Sequence, residues 1–302
     1  MTAATPRSVE QYLDALRLAL RGADPALVQD ALYDAEEHLR AEIAQHPGAA
    51  EGDVLDRIVR SYGAPDEVAD AYRANEATIQ KALRTPAPRP RPTAIGRFFG
   101  VYADPRVYLS LLYMLLTLVT GIAYFTFAVT GLSLSLGLAI LIIGIPFFLL
   151  FIGATRVVAL AEGRIVESLL GTRMPRRPAY QDRELPFLKR VVEMLRDPRT
   201  WGTLLYLVAM LPLGVFYFTF AVVGVMVSLA TILAPVFVLL YHAGIVQLDG
   251  TVIVESPHPA LLPLMSIAGV LLLTVTMHLA RGIGYLHGQL AKTLLVATRD
   301  PD

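Results

Sequence analysis

The hexapeptide Tyr124-Phe-Thr-Phe-Ala-Val129 occurs a second time in the chain, as Tyr217-Phe-Thr-Phe-Ala-Val222. Each copy follows an Asp-Pro-Arg triplet at the same distance, and these triplets are Asp104–Arg106 and Asp197–Arg199. Both copies lie in strongly apolar sequence. A repeat this literal predicts that one structural unit is used twice.

The apolar residues are concentrated in four long runs that contain no charged side chain. A helix that crosses the hydrocarbon core of a bilayer needs about 20 apolar residues, and each run is at least that long. We therefore expect an integral membrane protein of the cell membrane, with the lipid bilayer as its first partner. The runs are Val107–Thr130, Leu132–Thr155, Thr203–Tyr241 and Ala260–Ala280.

The repeat extends beyond the hexapeptide to the end of each copy. Arg156–Leu170 aligns with Arg281–Leu295, and both segments read as amphipathic helices that follow a returning span. The copies are offset by 93 residues at the front and by 125 at the back, so the second copy contains 32 additional residues. The predicted unit is thus a hairpin of two spans followed by an amphipathic helix.

The additional residues fall within 223–259, between the two spans of the second copy. Met226–Tyr241 predicts a helix that continues the span or lies along the outer surface, and a fifth span is the alternative. Residues 245–254 predict a short β-hairpin, because two β-prone runs flank an Asp-Gly turn. The polar residues around this insertion are candidate sensing residues for a metal, proton or other ligand, with exposed loop decoration as the alternative: His242, Asp249, Glu255 and His258.

Positive charge predicts the orientation of the spans. Arginines and lysines precede the first span, fill the loop of residues 156–199 and follow the last span, whereas residues 223–259 contain none. The positive-inside rule therefore predicts that both termini and the middle loop are cytoplasmic. An even number of crossings follows, and four is the simplest number.

The first 80 residues differ in character, with fifteen Asp and Glu against seven Arg, no Lys and no signal-peptide pattern. They predict four short amphipathic helices in a small cytoplasmic bundle. An acidic domain does not suit direct binding of nucleic acid. The predicted organisation is all-α and has five parts: the bundle 1–83, a Pro/Arg-rich linker 84–97, the first membrane repeat 98–172, a cytoplasmic linker 173–196, and the second repeat 197–296 with its insertion.

Several polar residues are candidates for passing a signal from membrane to cytoplasm: Arg156, Glu162, His278, Arg281 and His287. We expect Glu162 and His287, which align across the repeats, to face water on the amphipathic helices, with pairing to arginines of the middle loop as the alternative. Aromatic residues near an interface usually anchor a span, and this is the role expected for Tyr113, Tyr206, Tyr124 and Tyr217. In the bundle, a solvated polar face is expected for Asp34, Glu37, His38 and Glu42, with a metal or acid–base cluster as the alternative.

Three motifs of the bundle resemble the HAAS signalling domain. They are Tyr12-Leu13-x-x-Leu16, Asp34-x-Glu36-Glu37-His38 and Tyr62-Gly63-Ala64-Pro65-x-Glu67-Val68-Ala69. That family is a helical module at the front of bacterial membrane proteins, often encoded beside PadR-type transcription regulators. The resemblance implies a bacterial signalling protein with a cytoplasmic regulator as partner.

The membrane region resembles a family of four-span sensor domains found in actinobacteria. The resemblance rests on the Asp-Pro-x-x-Trp/Tyr motif at Asp104 and Asp197, on the long outer insertion, and on Arg281-Gly282-x-x-x-Leu286-His287. Such domains are often fused to histidine kinases, but no phosphoacceptor helix or ATP-binding glycine box follows here. The resemblance implies a sensor whose signal leaves through the bundle or through another chain.

The sequence lacks the usual marks of catalysis. It has no cysteine, no Ser-centred elbow, no HExxH and no nucleotide-binding glycine motif. We therefore expect a signalling protein without enzymatic activity or cofactor. A small transporter, channel or lipid-handling protein is one alternative, and a scaffold without ligand is another. Dimerisation would make a substrate path easier to build, so a homo-oligomer remains open.

Overall fold

A computed structural model describes residues 6–83, 93–138, 140–141, 143–177, 192, 195–245 and 261–296. These residues are almost entirely helical and contain no strand, which confirms the all-α prediction. Their contacts divide the chain into two compact units. Unit 1 comprises residues 1–86, 130–206 and 289–302, and unit 2 comprises residues 87–129 and 207–288.

The N-terminal bundle of unit 1 contains four helices, α1 (Val9–Ala19), α2 (Pro25–Ala44), α3 (Glu51–Tyr62) and α4 (Pro65–Leu83). The Ser8 and Asp24 side chains cap α1 and α2 by accepting backbone N–H groups. Apolar residues at helical spacing form one core from all four helices. Within it, the Tyr12 hydroxyl donates to the Gly63 carbonyl over 2.9 Å and joins α1 to the turn before α4.

Four long helices follow the short α5 (Ala94–Phe99) and a single 3₁₀ turn (Gly100–Ala103). They are α6 (Pro105–Leu138), α7 (Gly144–Leu170), α8 (Pro198–His242) and α9 (Leu262–Leu295). All four are long and apolar enough to cross a membrane, as predicted. At 1.5 Å per residue the 45-residue α8 is roughly 68 Å long, about twice the hydrocarbon thickness.

The predicted division between the first two spans is wrong. The second apolar run predicts residues 132–138 as part of the second span, but they continue α6, and α7 begins only at Gly144. A single glycine costs a helix only about 1 kcal/mol, so Gly131 does not end it. Instead, Gly131 gives room to Phe151, because a Cβ atom there would lie 2.1 Å from the Phe151 ring.

The predicted helix at Met226–Tyr241 continues the third span within α8. Helix α8 contains both Pro212 and Pro235 and is not interrupted at either. The described residues provide four candidate spans, without a separate fifth. The predicted β-hairpin and most of the Pro/Arg-rich linker lie outside the described residues.

In unit 2, α6 and α8 cross at two glycines that occupy the same place in each repeat. A Cβ atom at Gly121 would lie 2.4 Å from the Met210 carbonyl oxygen, and one at Gly214 would lie 2.4 Å from the Thr117 carbonyl oxygen. Both pairs obey the 93-residue offset. The helices therefore approach through small residues, as membrane helices commonly do, and the approach is the same from both sides.

Candidate functional site

In unit 1 the bundle packs on the segment that follows α7. Gly171 ends α7 in the left-handed conformation, with φ 70° and its N–H bonded to the Glu167 carbonyl. The chain then turns back, and the buried Met174 lies against Gly163, where a Cβ atom would be 3.4 Å from that of Met174. This turn presents residues 173–177 to helices α2 and α4 of the bundle.

Arg173 is the centre of a group of charged side chains that we call the docking cluster, formed by Asp30, Glu76, Glu167 and Arg173. The Arg173 guanidinium lies 2.9 Å from Asp30, 2.9 Å from Glu76 and 3.3 Å from Glu167. Asp30 belongs to α2, Glu76 to α4 and Glu167 to α7. One arginine thus joins two helices of the bundle to the end of a membrane helix.

The Asp30 carboxylate also binds the backbone of the same turn. Its Oδ1 accepts the N–H groups of Arg176 at 2.6 Å and Arg177 at 2.8 Å, while Oδ2 accepts from Arg173. Burial raises the pKa of Asp30 above its ordinary value, although these three donors act in the opposite direction. The turn therefore has to keep its shape for the carboxylate to remain bonded.

The charges of the docking cluster are largely removed from water, since the Arg173, Asp30 and Glu76 side chains are each 12% exposed or less. Burial lowers the pKa of Arg173, but Glu76, Asp30 and Glu167 outweigh it, so the pKa lies above its ordinary value. Removing one partner of a buried ion pair costs about 3–5 kcal/mol, because the other charge is left unpaired. Arg173 is thus the residue on which this contact most depends.

Weaker contacts surround the cluster. Arg177 pairs with Asp34 over 2.8 Å, and Lys292 of α9 pairs with Asp24 over 2.5 Å. Asp34 also accepts the Tyr72 hydroxyl at 3.3 Å. The expected solvated face of α2 is therefore wrong for Asp34, whereas Glu37 is exposed. Among the described residues, no group of three or more His, Asp or Glu side chains could hold a metal ion.

The expectation that Glu162 and His287 face water is wrong. Glu162 is fully buried in unit 1, where its Oε1 accepts the Tyr206 hydroxyl at 2.9 Å. His287 is 1% exposed in unit 2, where its Nε2 lies 2.6 Å from the Tyr113 hydroxyl and its Nδ1 lies 3.2 Å from that of Tyr217. Packing by neighbouring helices buries these two residues, whereas Arg164 and Gln289 on the same helices stay exposed.

The same contacts correct the role expected for the tyrosines. Tyr113 and Tyr206 are 2% and 0% exposed, so they are core residues rather than interface anchors, and Tyr217 is also buried. Tyr124 is half-buried. A buried tyrosine needs a partner for its hydroxyl, and the ionisable residue of the returning helix supplies it for Tyr113 and Tyr206.

The other candidate transmission residues lie near the ends of the apolar runs of α7 and α9, inside the helices. In unit 2, Arg281 pairs with Asp104 over 3.4 Å, and His278 Nε2 lies 2.9 Å from the Phe98 carbonyl oxygen. In unit 1, Arg156 lines a small cavity together with Asp197, with which it interacts electrostatically. The structure thus distributes the five candidates over two units.

Of the candidate sensing residues, only His242 is described. It is exposed at the end of α8, where its ring lies 5.9 Å from that of Tyr241. Asp249, Glu255 and His258 lie outside the described residues, so their grouping remains a prediction.

Sequence reasoning missed Arg173, Asp30 and Glu76. The signal that could have found them is the charge of the two segments, because a strongly acidic bundle and an arginine-rich loop belong to the same chain. Charge alone does not select which arginine is buried. The selection comes from Gly171, which ends α7 two residues before Arg173 and lets the chain turn.

Comparisons with known proteins identify two families in the chain. The family model described as HAAS matches residues 11–71, and the family model described as Putative sensor matches residues 113–295. No curated protein and no solved structure matches the chain.

The two family matches and the four apolar helices together indicate a multi-pass membrane protein of signalling type. The HAAS match covers most of the bundle, including Asp30 and Asp34. The second match covers more than half of the chain, from within α6 to the end of α9, and includes Arg173. The chain therefore belongs to the Putative sensor family.

Proposed function

We propose that the protein relays a membrane or extracytoplasmic stimulus to a cytoplasmic regulator by changing how its bundle is held. The observation that carries the proposal is the docking cluster, in which Arg173 binds Asp30 and Glu76 of the bundle and Glu167 of α7. In the proposed orientation the bundle and both chain termini are cytoplasmic, which agrees with the positive-inside rule.

The docking cluster suits a switch because the attraction between its charges is large only while they remain close together and buried from water. In the docked state, Arg173 and the two N–H groups of its turn satisfy the Asp30 carboxylate. A movement at the end of α7 would separate these groups and expose them to water, where an ion pair contributes at most about 1 kcal/mol. Small shifts can therefore have a large effect on the docked population.

Release of the bundle would uncover an acidic surface on α2 and α4. Asp30, Asp34 and Glu76 lie on that surface and are occupied by arginines in the docked state. A regulator with a basic patch would compete with the arginine-rich turn for it. The HAAS resemblance points to a PadR-type regulator as this partner.

The test compares two charge reversals in the full-length protein in cells of its source. Arg173→Glu places a negative charge among three carboxylates, whereas Arg17→Glu reverses an exposed arginine of the same bundle and serves as the matched control. After crosslinking in cells, the expected result is a transcription regulator whose recovery changes several-fold with Arg173→Glu and stays unchanged with Arg17→Glu.

Two outcomes would overturn the proposal. The first is that no regulator is recovered above the level seen with unrelated membrane proteins. The second is that a regulator is recovered equally with the native chain, Arg173→Glu and Arg17→Glu. Membrane insertion and amount of each variant are checked by size-exclusion chromatography, so a folding defect is recognised separately.

A further inference from the structure

Unit 1 contains a small cavity of about 60 Å³ beside the docking cluster. Its wall is built from α2, α7, the turn after α7, the first residues of α8 and the last residue of α9. Apolar side chains on the wall include Ile152, Leu160 and Met174, and Gln29 contributes from the bundle. The cavity therefore joins a part of the bundle to the middle of α7, the start of α8 and the end of α9.

The polar part of the wall carries an excess of positive charge. Arg156 and Arg199 both line the cavity, and Asp197 is the single acidic residue among the described lining residues. Asp197 is engaged at the start of α8, because its Oδ1 accepts the Arg199 N–H at 3.0 Å. The described lining thus contains two arginines and one carboxylate, which already caps a helix.

Thr200 is a second and independent sign of a ligand. It lines the same cavity and is 6% exposed. Its hydroxyl oxygen is buried and, among the described residues, has no hydrogen-bond partner. A buried polar atom without a partner costs about 1–3 kcal/mol, so a group that accepts its hydrogen bond would be stabilised there.

We propose that this cavity binds an oxyanion of phosphate type, which Arg156, Arg199 and Thr200 would hold. Guanidinium groups match the oxygens of a phosphate in paired hydrogen bonds, and the first turn of α8 adds the positive end of a helix dipole. The space suits a group of a few atoms, since one water needs about 10–15 Å³ on the same measure.

The position of the cavity favours a phosphate that arrives on a lipid. Arg156 and Arg199 lie where α7 and α8 pass from apolar to charged sequence, which is the depth of the headgroups in the proposed orientation. Ile152 and Leu160 provide an apolar wall beside the charges. A free phosphate compound is the other source of the same chemistry, and the experiment separates the two.

An anion bound in the cavity would also affect how the bundle is docked, and this extension rests on the proposed function. Gln29 lines the cavity and donates to the Arg177 carbonyl at 2.7 Å, and Met174 and Pro175 belong to the turn that carries Arg173. Binding of the anion itself does not require that any signal be relayed, so the two claims can fail separately.

The test uses delipidated full-length protein in a neutral detergent and the fluorescence of Trp201, the only tryptophan, which adjoins Thr200. Three probes are titrated: a short-chain phosphatidylglycerol, the matching phosphatidylcholine, and inorganic phosphate. We expect saturable binding of the anionic lipid with at least tenfold preference over phosphatidylcholine. Competition by inorganic phosphate would indicate a soluble oxyanion, and no competition would indicate a lipid headgroup.

Variants then assign the site. Arg156→Gln with Arg199→Gln is expected to weaken binding at least tenfold, and Thr200→Val several-fold, while Arg164→Gln, an exposed arginine of α7, leaves it unchanged. The double variant removes two charges that can matter for folding, so Thr200→Val provides the decisive comparison in a protein with all its charges. Equal binding of both lipids, or unchanged binding in Thr200→Val and the double variant, overturns the proposal. Arg173→Glu tests docking separately and should still bind the probe.

Discussion

Glu162 and His287 occupy the same position in the two copies of the repeat, yet one is an acid and the other a base. Each is buried and bonded to a tyrosine of the other copy, Glu162 to Tyr206 and His287 to Tyr113. These two tyrosines are themselves equivalent in the repeat. The repeat therefore keeps a polar contact between an outgoing and a returning helix while exchanging its chemistry. The two copies share the helical scaffold and differ in the ionisable residue at this position.

The hydrogen bonds at the start of the outgoing helix are made by equivalent groups in both copies. Asp104 and Asp197 each accept the N–H of the arginine two residues later, over 3.1 and 3.0 Å. The aromatic residue of each Asp-Pro-x-x-Trp/Tyr motif bonds a carbonyl six residues earlier, from Tyr108 over 2.9 Å and from Trp201 over 2.8 Å. Both copies thus begin their outgoing helix in the same way, and they differ farther along.

The largest effect is expected where the copies are most alike, at Gly121 and Gly214. Replacing either with alanine places a Cβ atom 2.4 Å from a backbone carbonyl oxygen, so the helices must separate. We expect each variant to lose about 2–3 kcal/mol, measured by circular dichroism during SDS unfolding in mixed micelles.

Gly153→Ala is the control for these variants, because its Cβ atom would meet no neighbouring atom within 4 Å. The losses of unfolding free energy in the two test variants should agree within about 1 kcal/mol, because the two contacts are equivalent and the strain is therefore similar. A clear loss in only one of them would show that the crossing is not shared by the copies.

A smaller effect is expected at the exchanged residues. Double-mutant cycles that combine Glu162→Leu with Tyr206→Phe, and His287→Leu with Tyr113→Phe, should each give a coupling energy of about 1 kcal/mol. Equal couplings would mean that acid and base serve the same structural purpose. Tyr206→Phe combined with Val157→Ala, an exposed residue of α7, should show no coupling. Couplings near zero in both test cycles would contradict the assignment of these bonds.

The smallest effect is expected at the two helix starts. Asp104→Asn and Asp197→Asn keep an oxygen that can accept the backbone N–H, but they remove a charge that faces Arg281 in one case and Arg156 in the other. We expect a loss of about 0.5 kcal/mol for each and about 1 kcal/mol more for the alanine variants. If the asparagine variants lose as much stability as the alanine variants, the whole contribution of Asp104 and Asp197 comes from their charge and none from the cap.

The sequence predicted the helical class, the four long helices and the equivalence of the two copies, because apolar runs and repeated motifs report them directly. The apolar runs placed the end of the first span too early, because they are divided at Gly131 and do not report its contact with Phe151. Likewise, Glu162 and His287 are expected to face water until the tyrosines of other helices are brought against them.

The docking cluster could not be predicted for a similar reason. Asp30, Glu76 and Arg173 are separated by 46 and 97 residues in the sequence, and many other charges of the same sign stand near them. Burial selects these three, and burial depends on the packing of α2, α4 and the turn after Gly171. Local patterns cannot report a contact that is decided by tertiary structure.

The distance between the bundle and α7 reports directly whether Arg173 holds the bundle in place. Because the chain has no cysteine, nitroxide labels can be attached at Ala71→Cys on α4 and Ser168→Cys on α7, both exposed, and read by pulsed electron resonance in nanodiscs. We expect one narrow distance distribution in the otherwise native chain and with Arg17→Glu, and a broad or shifted one with Arg173→Glu. An unchanged distribution with Arg173→Glu would contradict the claim that this arginine holds the bundle.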